Sequence, residues 1–311
     1  MKVNALLSDL FRAQWLIDVH SIAGFAPIVQ KIISGEELAL GNNGVHRTII
    51  ASDGSVTINP NAILNVVDKN GRRVSRDEDG AFDAIPKGSV AHVYMMGAVM
   101  KYGDWCTYGA DEILAALRFA NENPNIKGIV LHVDGPGGAV SAIGLFLQFA
   151  KEKKKPVIGL ADAAMSLHYW ALVSVCDWII ADNDVSARFG SVGVMCSFQD
   201  SKAVYEKMGY KFHEIYPDES PHKNEAFRLA LEGKYDMIRE EHLSPTAKKF
   251  QAAVRTGRPR LKEETGVLTG KTFSADQSIE YGMIDAIGSL QDALAHIDML
   301  TELNDYTKTK F

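Results

Sequence analysis

"IKGIVLHVDGPGGAV", Ile126–Val140, is the stretch on which the fold turns. Its first nine residues are almost continuously apolar and rich in Ile and Val, without the alternation of a half-exposed strand. A strand of that kind is buried on both faces, as in a parallel sheet covered by helices. GPGG then ends the run, and a helical pattern follows from about Ala139 to Lys151. Glycines at such a junction present backbone N–H groups at a helix N-terminus, a geometry that holds an anion or a developing oxyanion. They serve equally well in a tight strand-to-helix turn that needs positive φ. The loop fits neither G-x-G-x-x-G nor the P-loop, because no Lys-Ser/Thr pair follows, and this disfavours a nucleotide site.

The same logic extends outward. Before the loop, SVAHVYMMGAV (Ser89–Val99) reads as a strand and DEILAALRFAN (Asp111–Asn121) has helical periodicity. After it, KKPVIGLAD predicts a strand, AAMSLHYWALVSV a helix and DWIIAD another strand. Alternation of this kind across Ser89–Asp182 is the signature of βαβ units and an α/β fold. Further on, residues 199–210 predict a helix, KFHEIY (Lys211–Tyr216) a strand, and about Asn224 to Thr256 a long helical stretch. The segment from Leu268 predicts helix, turn, short strand and helix, before a polar tail over 299–311 that frays. Leu6, Leu7, Leu10, Phe11 and Trp15 recur near helical spacing and predict a helical arm over residues 1 to about 35. Turn signals such as GNNG, SDGS and KNGRR mark residues 41–87 as a small irregular β-rich module. The expected division is an arm and module over 1–87, a main domain over 88–298 and the tail.

A chain of 311 residues, 46% hydrophobic, has ample material for a large core. The net charge of −6 gives no support for binding nucleic acid through a basic surface. Three widely spaced cysteines, Cys106, Cys176 and Cys196, argue against a disulfide framework and a zinc site, and for a reducing compartment. Asp9, Arg12 and Asp18 interrupt the N-terminal apolar pattern, so it does not read as a signal sequence. No run reaches about 18 uncharged apolar residues, so no membrane span is expected.

Ser166 follows the strand VIGLAD at the start of a helix, where a side chain faces the open C-terminal edge of a parallel sheet. Developing negative charge is favoured there. An ordinary serine of a first helical turn fits the position too. His168, two residues on, points to nearly the opposite side of a helix and is a poor base for Ser166. No G-x-S-x-G elbow is present. Lys223, in DESPHKNEAF, reads locally as a solvated charge between Glu219 and Glu225. A lysine acts as a general base only where burial or nearby positive charge favours its neutral form.

Taken in order, these pieces resemble the signal peptide peptidase A family of serine proteases, within the ClpP/crotonase superfamily. SVAHVYMMGAVMKYG resembles its opening strand, IKGIVLHVDGPGGAV its S-P-G-G loop, and ADAAMSLHYWALV its nucleophile segment. FGSVGVM resembles its G-S-I-G-V motif, DESPHKNEAF its lysine loop, and LTGKTFSADQSIEYGMIDAIGSLQDAL its closing segment. The resemblance runs from Ser89 to about Leu294 and implies a ClpP/crotonase-like fold of repeated ββα units. It implies a Ser-Lys dyad, with Ser166 as nucleophile and Lys223, 57 residues on, as general base. It places the oxyanion site at Gly137 and Gly138 and makes Ser191 part of the active-site wall. Two departures stand out. Gly135 replaces the usual serine, and Leu167 and His168 stand where two small residues usually follow the nucleophile.

The resemblance implies acyl transfer to water without metal or organic cofactor, polypeptide substrates, and a homo-oligomer. Family members degrade signal peptides at membranes, act as soluble cytoplasmic peptidases, or mature phage capsids. The missing anchor and the arm before the catalytic region favour the capsid role. Capsid or scaffold proteins would then be the partners, in host cytoplasm or the assembling virion. A soluble peptidase, an acyl-CoA-acting crotonase-type enzyme and an inactive assembly protein are the alternatives. The crotonase reading leaves the Ser166 and Lys223 segments unexplained, and the Leu167-His168 departure is the best support for inactivity.

Overall fold

A computed structural model describes residues 14–17, 48–50, 56–58, 63–77, 80–82, 84–103, 107–198 and 200–310. Its N-terminal strands are β1 (Gln14–Ile17), β2 (Thr48–Ile50), β3 (Val56–Ile58), β4 (Leu64–Val67) and β5 (Ser89–Met96). Helix α1 (Ala110–Glu122), β6 (Ile126–Gly135), β7 (Gly137–Ala139), a 3-10 turn (Val140–Ala142) and α2 (Ile143–Glu152) follow. Then come β8 (Val157–Met165), α3 (Leu167–Val175), β9 (Trp178–Ala181), β10 (Arg188–Gly190), β11 (Met195–Cys196) and α4 (Lys202–Lys207). The C-terminal part contains α5 (Glu225–Leu231), a π-helical turn (Ile238–Leu243), α6 (Ser244–Gly257), β12 (Thr272–Ser274), α7 (Ala275–Glu280), β13 (Ala286–Ile287) and α8 (Leu290–Lys310).

The main sheet runs β12-β10-β8-β6-β5-β4, and β9 pairs with both β8 and β13. β5, β6, β8, β9 and β10 are parallel neighbours, whereas β4 and β12 join antiparallel at the edges. β8 splits its partners: Ile158–Ala161 pair with β9, and Ala163–Met165 pair with β10. That fork opens the sheet at the C-terminal end of β8, where Ser166 follows.

β6 behaves as its composition demands. Ile129, Leu131 and Val133 face one layer, with Ile113, Leu117, Phe146, Phe149 and Trp170 from α1, α2 and α3. Val130 faces the other, where Ala293 and Ile297 of α8 also cover Ile158, Leu160 and Ile180. Alternate side chains of one strand thus feed two cores. α3 is buried on all sides: every residue from Leu167 to Val173 is buried. Tyr169 donates from its hydroxyl to the Met283 carbonyl at 2.9 Å, and Trp170 stacks on Phe250 with centroids 4.6 Å apart. The helix that follows Ser166 is therefore held by two separate segments of the C-terminal half, at Phe250 and at Met283.

The mixed α/β fold with a mostly parallel central sheet is as expected; several local expectations are corrected. The helical arm over residues 1 to about 35 lies outside the described residues except for Gln14–Ile17, which form a strand. Lys211–Tyr216, expected as a strand, is irregular. The long helix expected from Asn224 to Thr256 is broken at Gly233, whose φ of 79° terminates α5. The tail from 299 continues α8 to Lys310. From the expected module, β4 is an edge strand of the main sheet, β2 and β3 pair antiparallel with each other, and 41–47, 51–55, 59–62, 78–79 and 83 lie outside the described residues.

Candidate active site

Ser166 sits between β8 and α3 with φ 55° and ψ −113°. A side chain with a β-carbon pays a steric cost in that region, and such residues persist only where their surroundings hold them. Here the Ser166 amide donates to the Gly190 carbonyl at 2.8 Å, and the Ser166 carbonyl accepts from the Trp170 amide at 3.0 Å, starting the helix. The serine is 2% exposed. Its backbone is thus pinned on one side to β10 and on the other to the first turn of α3.

The glycine loop lies alongside. β6 ends at Gly135, β7 begins at Gly137, and Gly137 has φ 121°, a conformation that favours glycine. The chain after β5 runs parallel to this loop: Gly97 N donates to Asp134 O at 2.8 Å, Val99 N to Gly137 O at 3.0 Å and Ala139 N to Val99 O at 3.0 Å. A β-carbon on Gly138 would collide with the Val99 carbonyl and lie 3.0 Å from Cδ2 of Leu167. The residue after Ser166 therefore packs directly on the loop that carries Gly137 and Gly138. Ser191, half-buried with φ 53°, follows Gly190 and is tied by its amide to the Lys271 carbonyl at 2.8 Å. Ser166, Gly137, Gly138 and Ser191 are brought to one end of the sheet.

Lys223 is not brought into that group. It is exposed, in a turn where its amide donates to the Ser220 carbonyl at 3.2 Å, and it shares no hydrogen bond with Ser166. Beside it, His222, Asn224, Glu225, Phe227 and His242 line an open cavity of about 500 Å³. His168, dismissed as a base on helical geometry, is fully buried. Burial pushes its pKa down to about 3, against the opposing pull of the Gly97 carbonyl, so the ring is neutral. Among the described residues neither ring nitrogen meets a partner in good hydrogen-bonding geometry, although the Gly97 carbonyl lies close enough to oppose the shift. The contact of this ring with Gly135 was missed from sequence, since nothing local links the two positions.

Cys176 and Cys196 are free thiols, and Cys106 lies outside the described residues. Burial raises the pKa of both thiols, which suits inert side chains rather than nucleophiles. Among the described residues no cluster of three or more His, Cys, Asp or Glu could hold a metal, and no helix is long and apolar enough to cross a membrane.

A strained serine at a strand-to-helix junction, against a glycine loop on a parallel sheet, defines a candidate hydrolase site of the acyl-transfer type. The model of peptidase family S49 matches residues 149–304, just over half of the chain, and the chain belongs to this family. Among known proteins it is similar to Protease 4 of Salmonella typhi, with 25% identity over 70% of this chain and 36% of that protein. It is similar also to the head-tail preconnector protein GP5 of Enterobacteria phage P21, with 26% identity over 68% of this chain and 41% of the phage protein. Capsid assembly protease C of Escherichia phage lambda is 27% identical over 60% of this chain and 42% of its own length. The chain spans about a third of the length of the Protease 4 relatives it matches.

Proposed function

We propose that this chain is a serine endopeptidase that cuts polypeptides through an acyl-enzyme. Ser166 attacks the scissile carbonyl, neutral Lys223 takes and returns the proton, and the Gly137 and Gly138 amides hold the oxyanion. Water then releases the acyl group, with Lys223 again as base. The observation that carries the reading is the backbone of Ser166, a buried non-glycine residue held at φ 55° beside the glycine loop. Residues held in such conformations cluster at active sites, where the strain is part of the mechanism.

The two phage relatives favour capsid or scaffold proteins as substrates, in host cytoplasm or an assembling virion. A homo-oligomer is part of the same proposal. Val204, Tyr205, Met208, Tyr210, Phe212 and Ile215 are all exposed on the segment leading to Lys223. Apolar exposure on this scale marks an interaction surface. A second copy covering it would withdraw Lys223 from water and favour the neutral amine that the mechanism requires.

The test is labelling by a serine-directed phosphonate together with turnover of a casein-type substrate. Wild type is expected to be labelled at Ser166 and to cut, with Ser166→Ala and Lys223→Ala both losing at least about 100-fold in turnover. Equal turnover by wild type and Ser166→Ala, with no label on Ser166, would sink the proposal.

A further inference from the structure

Strand β1 lies between two pieces of the candidate active site. It pairs antiparallel with β7, placing Trp15 opposite Ala139, Leu16 opposite Gly138 and Ile17 opposite Gly137. On its other side it pairs antiparallel with β11, placing Gln14 opposite Cys196 and Trp15 opposite Met195. The order of this small sheet is β11-β1-β7, so β7 and β11 touch β1 and not each other. Two strand edges held one strand apart leave a slot about 10 Å wide between them. Each edge presents unpaired N–H and C=O groups to whatever enters. An extended peptide entering such a slot gains a ladder on both sides, the β-augmentation mode of peptide recognition.

The slot's two edges belong to the candidate active site. β7 is the strand that contains Gly137 and Gly138, and β11 begins four residues after Ser191. A peptide to be cut at Ser166 must pass the two glycines in extended form, and Leu16 and Ile17 already stand opposite them. We infer that Gln14–Ile17 is a built-in occupant of the peptide groove, which must unpair from β7 and β11 before a polypeptide of another molecule can be cut. The inference rests on the peptidase reading for the word "cut"; the occupation itself is a matter of backbone pairing. If the groove is open in only a small fraction of molecules, the apparent affinity for substrate falls by that fraction.

The register supplies its own lock. Residues directly opposite in an antiparallel pair have Cα atoms about 4.5–5.5 Å apart, within the span of a disulfide. Gln14→Cys in the full-length chain is therefore expected to cross-link to the native Cys196 on mild oxidation, and not in the Gln14→Cys/Cys196→Ser control. The oxidised protein should turn over a polypeptide at least about tenfold more slowly than the same protein after reduction. Conversely, Leu16→Pro removes a ladder donor from β1 and should raise wild-type turnover at least about threefold. Undiminished turnover by the cross-linked protein overturns the inference, as does failure to cross-link to Cys196. Cross-link yield is read without reference to activity. A chain that cross-links but shows no turnover and no label at Ser166 even when reduced overturns the peptidase reading and leaves the occupied groove standing. Loss of the N-terminal segment by wild type but not by Ser166→Ala would make β1 a substrate and overturn its role as a reversible occupant.

Discussion

The His168 imidazole fills the space that a side chain on Gly135 would need. A β-carbon at position 135 would lie 2.5 Å from Nε2 of His168 and would also meet the Gly97 carbonyl oxygen. Two of the three positions at which the chain departs from the pattern it resembles, Gly135 and His168, are thus one packing unit. His168 leaves the first turn of α3 and presses on the strand ends that carry the glycine loop. Gly135→Ala is expected to lower the rate of phosphonate labelling at Ser166 at least about tenfold, because the loop must shift to admit the methyl group. In a His168→Gly background the Gly97 strand gains room to move, and the same change should cost at most about threefold, a coupling of the size seen for residues in contact. Equal cost in both backgrounds would refute the pairing, and denaturant midpoints of all four proteins separate loss of the loop's position from loss of the fold.

Ser166→Gly should trade function for stability. Glycine takes positive φ without the steric cost borne by serine, and relief of a strained residue is worth on the order of 1 kcal/mol or more. The variant should unfold at higher urea than wild type while losing labelling and turnover entirely. Ser166→Ala keeps the β-carbon and should show the loss of activity without the gain. Matching midpoints for the two variants would mean that φ 55° carries no strain worth measuring.

The fold was legible where burial was strongest. β6 and β8 are apolar enough to be read as parallel strands from composition, and α3 as the helix between β8 and β9. What failed depended on partners distant in sequence. Gln14–Ile17 belong to an apolar pattern that reads as helical, yet the facing edges of β7 and β11 draw them into a strand, tertiary context overriding local preference. Lys211–Tyr216 carries the strand-favouring Phe212, Ile215 and Tyr216 but pairs with no described strand, and its Phe212 and Ile215 are exposed. For the site, Ser166 was visible as the residue closing an apolar strand. Lys223 has no local signal at all, being one exposed lysine among many, and entered through resemblance alone.

The C-terminal segment is clamped by an ion pair whose removal should be costly. Arg258 donates from Nη1 and Nη2 to the two carboxylate oxygens of Asp285, each at 2.7 Å, and from Nε to the Gly282 carbonyl. Asp285 also accepts from the Ile179 amide of β9 at 2.8 Å. The side chains are 11% and 17% exposed, so either one left alone is a poorly solvated charge. Asp285→Ala should lose about 3–5 kcal/mol of unfolding free energy. The Arg255–Glu263 pair is also bidentate, through Nε and Nη2, but is about half exposed on both sides, and Glu263→Ala should cost far less. Similar losses from the two would show that burial is not what separates them.

Stability should fall as the solution is acidified through a window that belongs to histidine. Burial holds His92 down to about 4, with neighbouring His132 and Arg73 adding to the effect, and holds His168 down to about 3. His132, 2.9 Å from His92, is lowered by burial too, against Asp182, Asp134 and Asp162. In the unfolded chain all three take up protons near pH 6.5. Below that pH the unfolded state therefore binds more protons than the native state, and stability drops with falling pH. The contribution is fully present above about pH 6.5 and is lost progressively as the pH approaches the folded values. The carboxylates of Glu122, Glu152 and Glu263 are lowered by Lys154, Arg118 and Arg255 respectively, so their stabilising effect is lost only at more acid pH. Asp134, raised by burial and then by Asp162 and Asp182, acts in the opposite sense. Urea midpoints measured from about pH 7 to about pH 4.5 should decline in wild type. A His92→Asn/His168→Asn variant, whatever its stability at pH 7, should show a flatter slope over the same range, and an unchanged slope would assign the acid sensitivity to other groups.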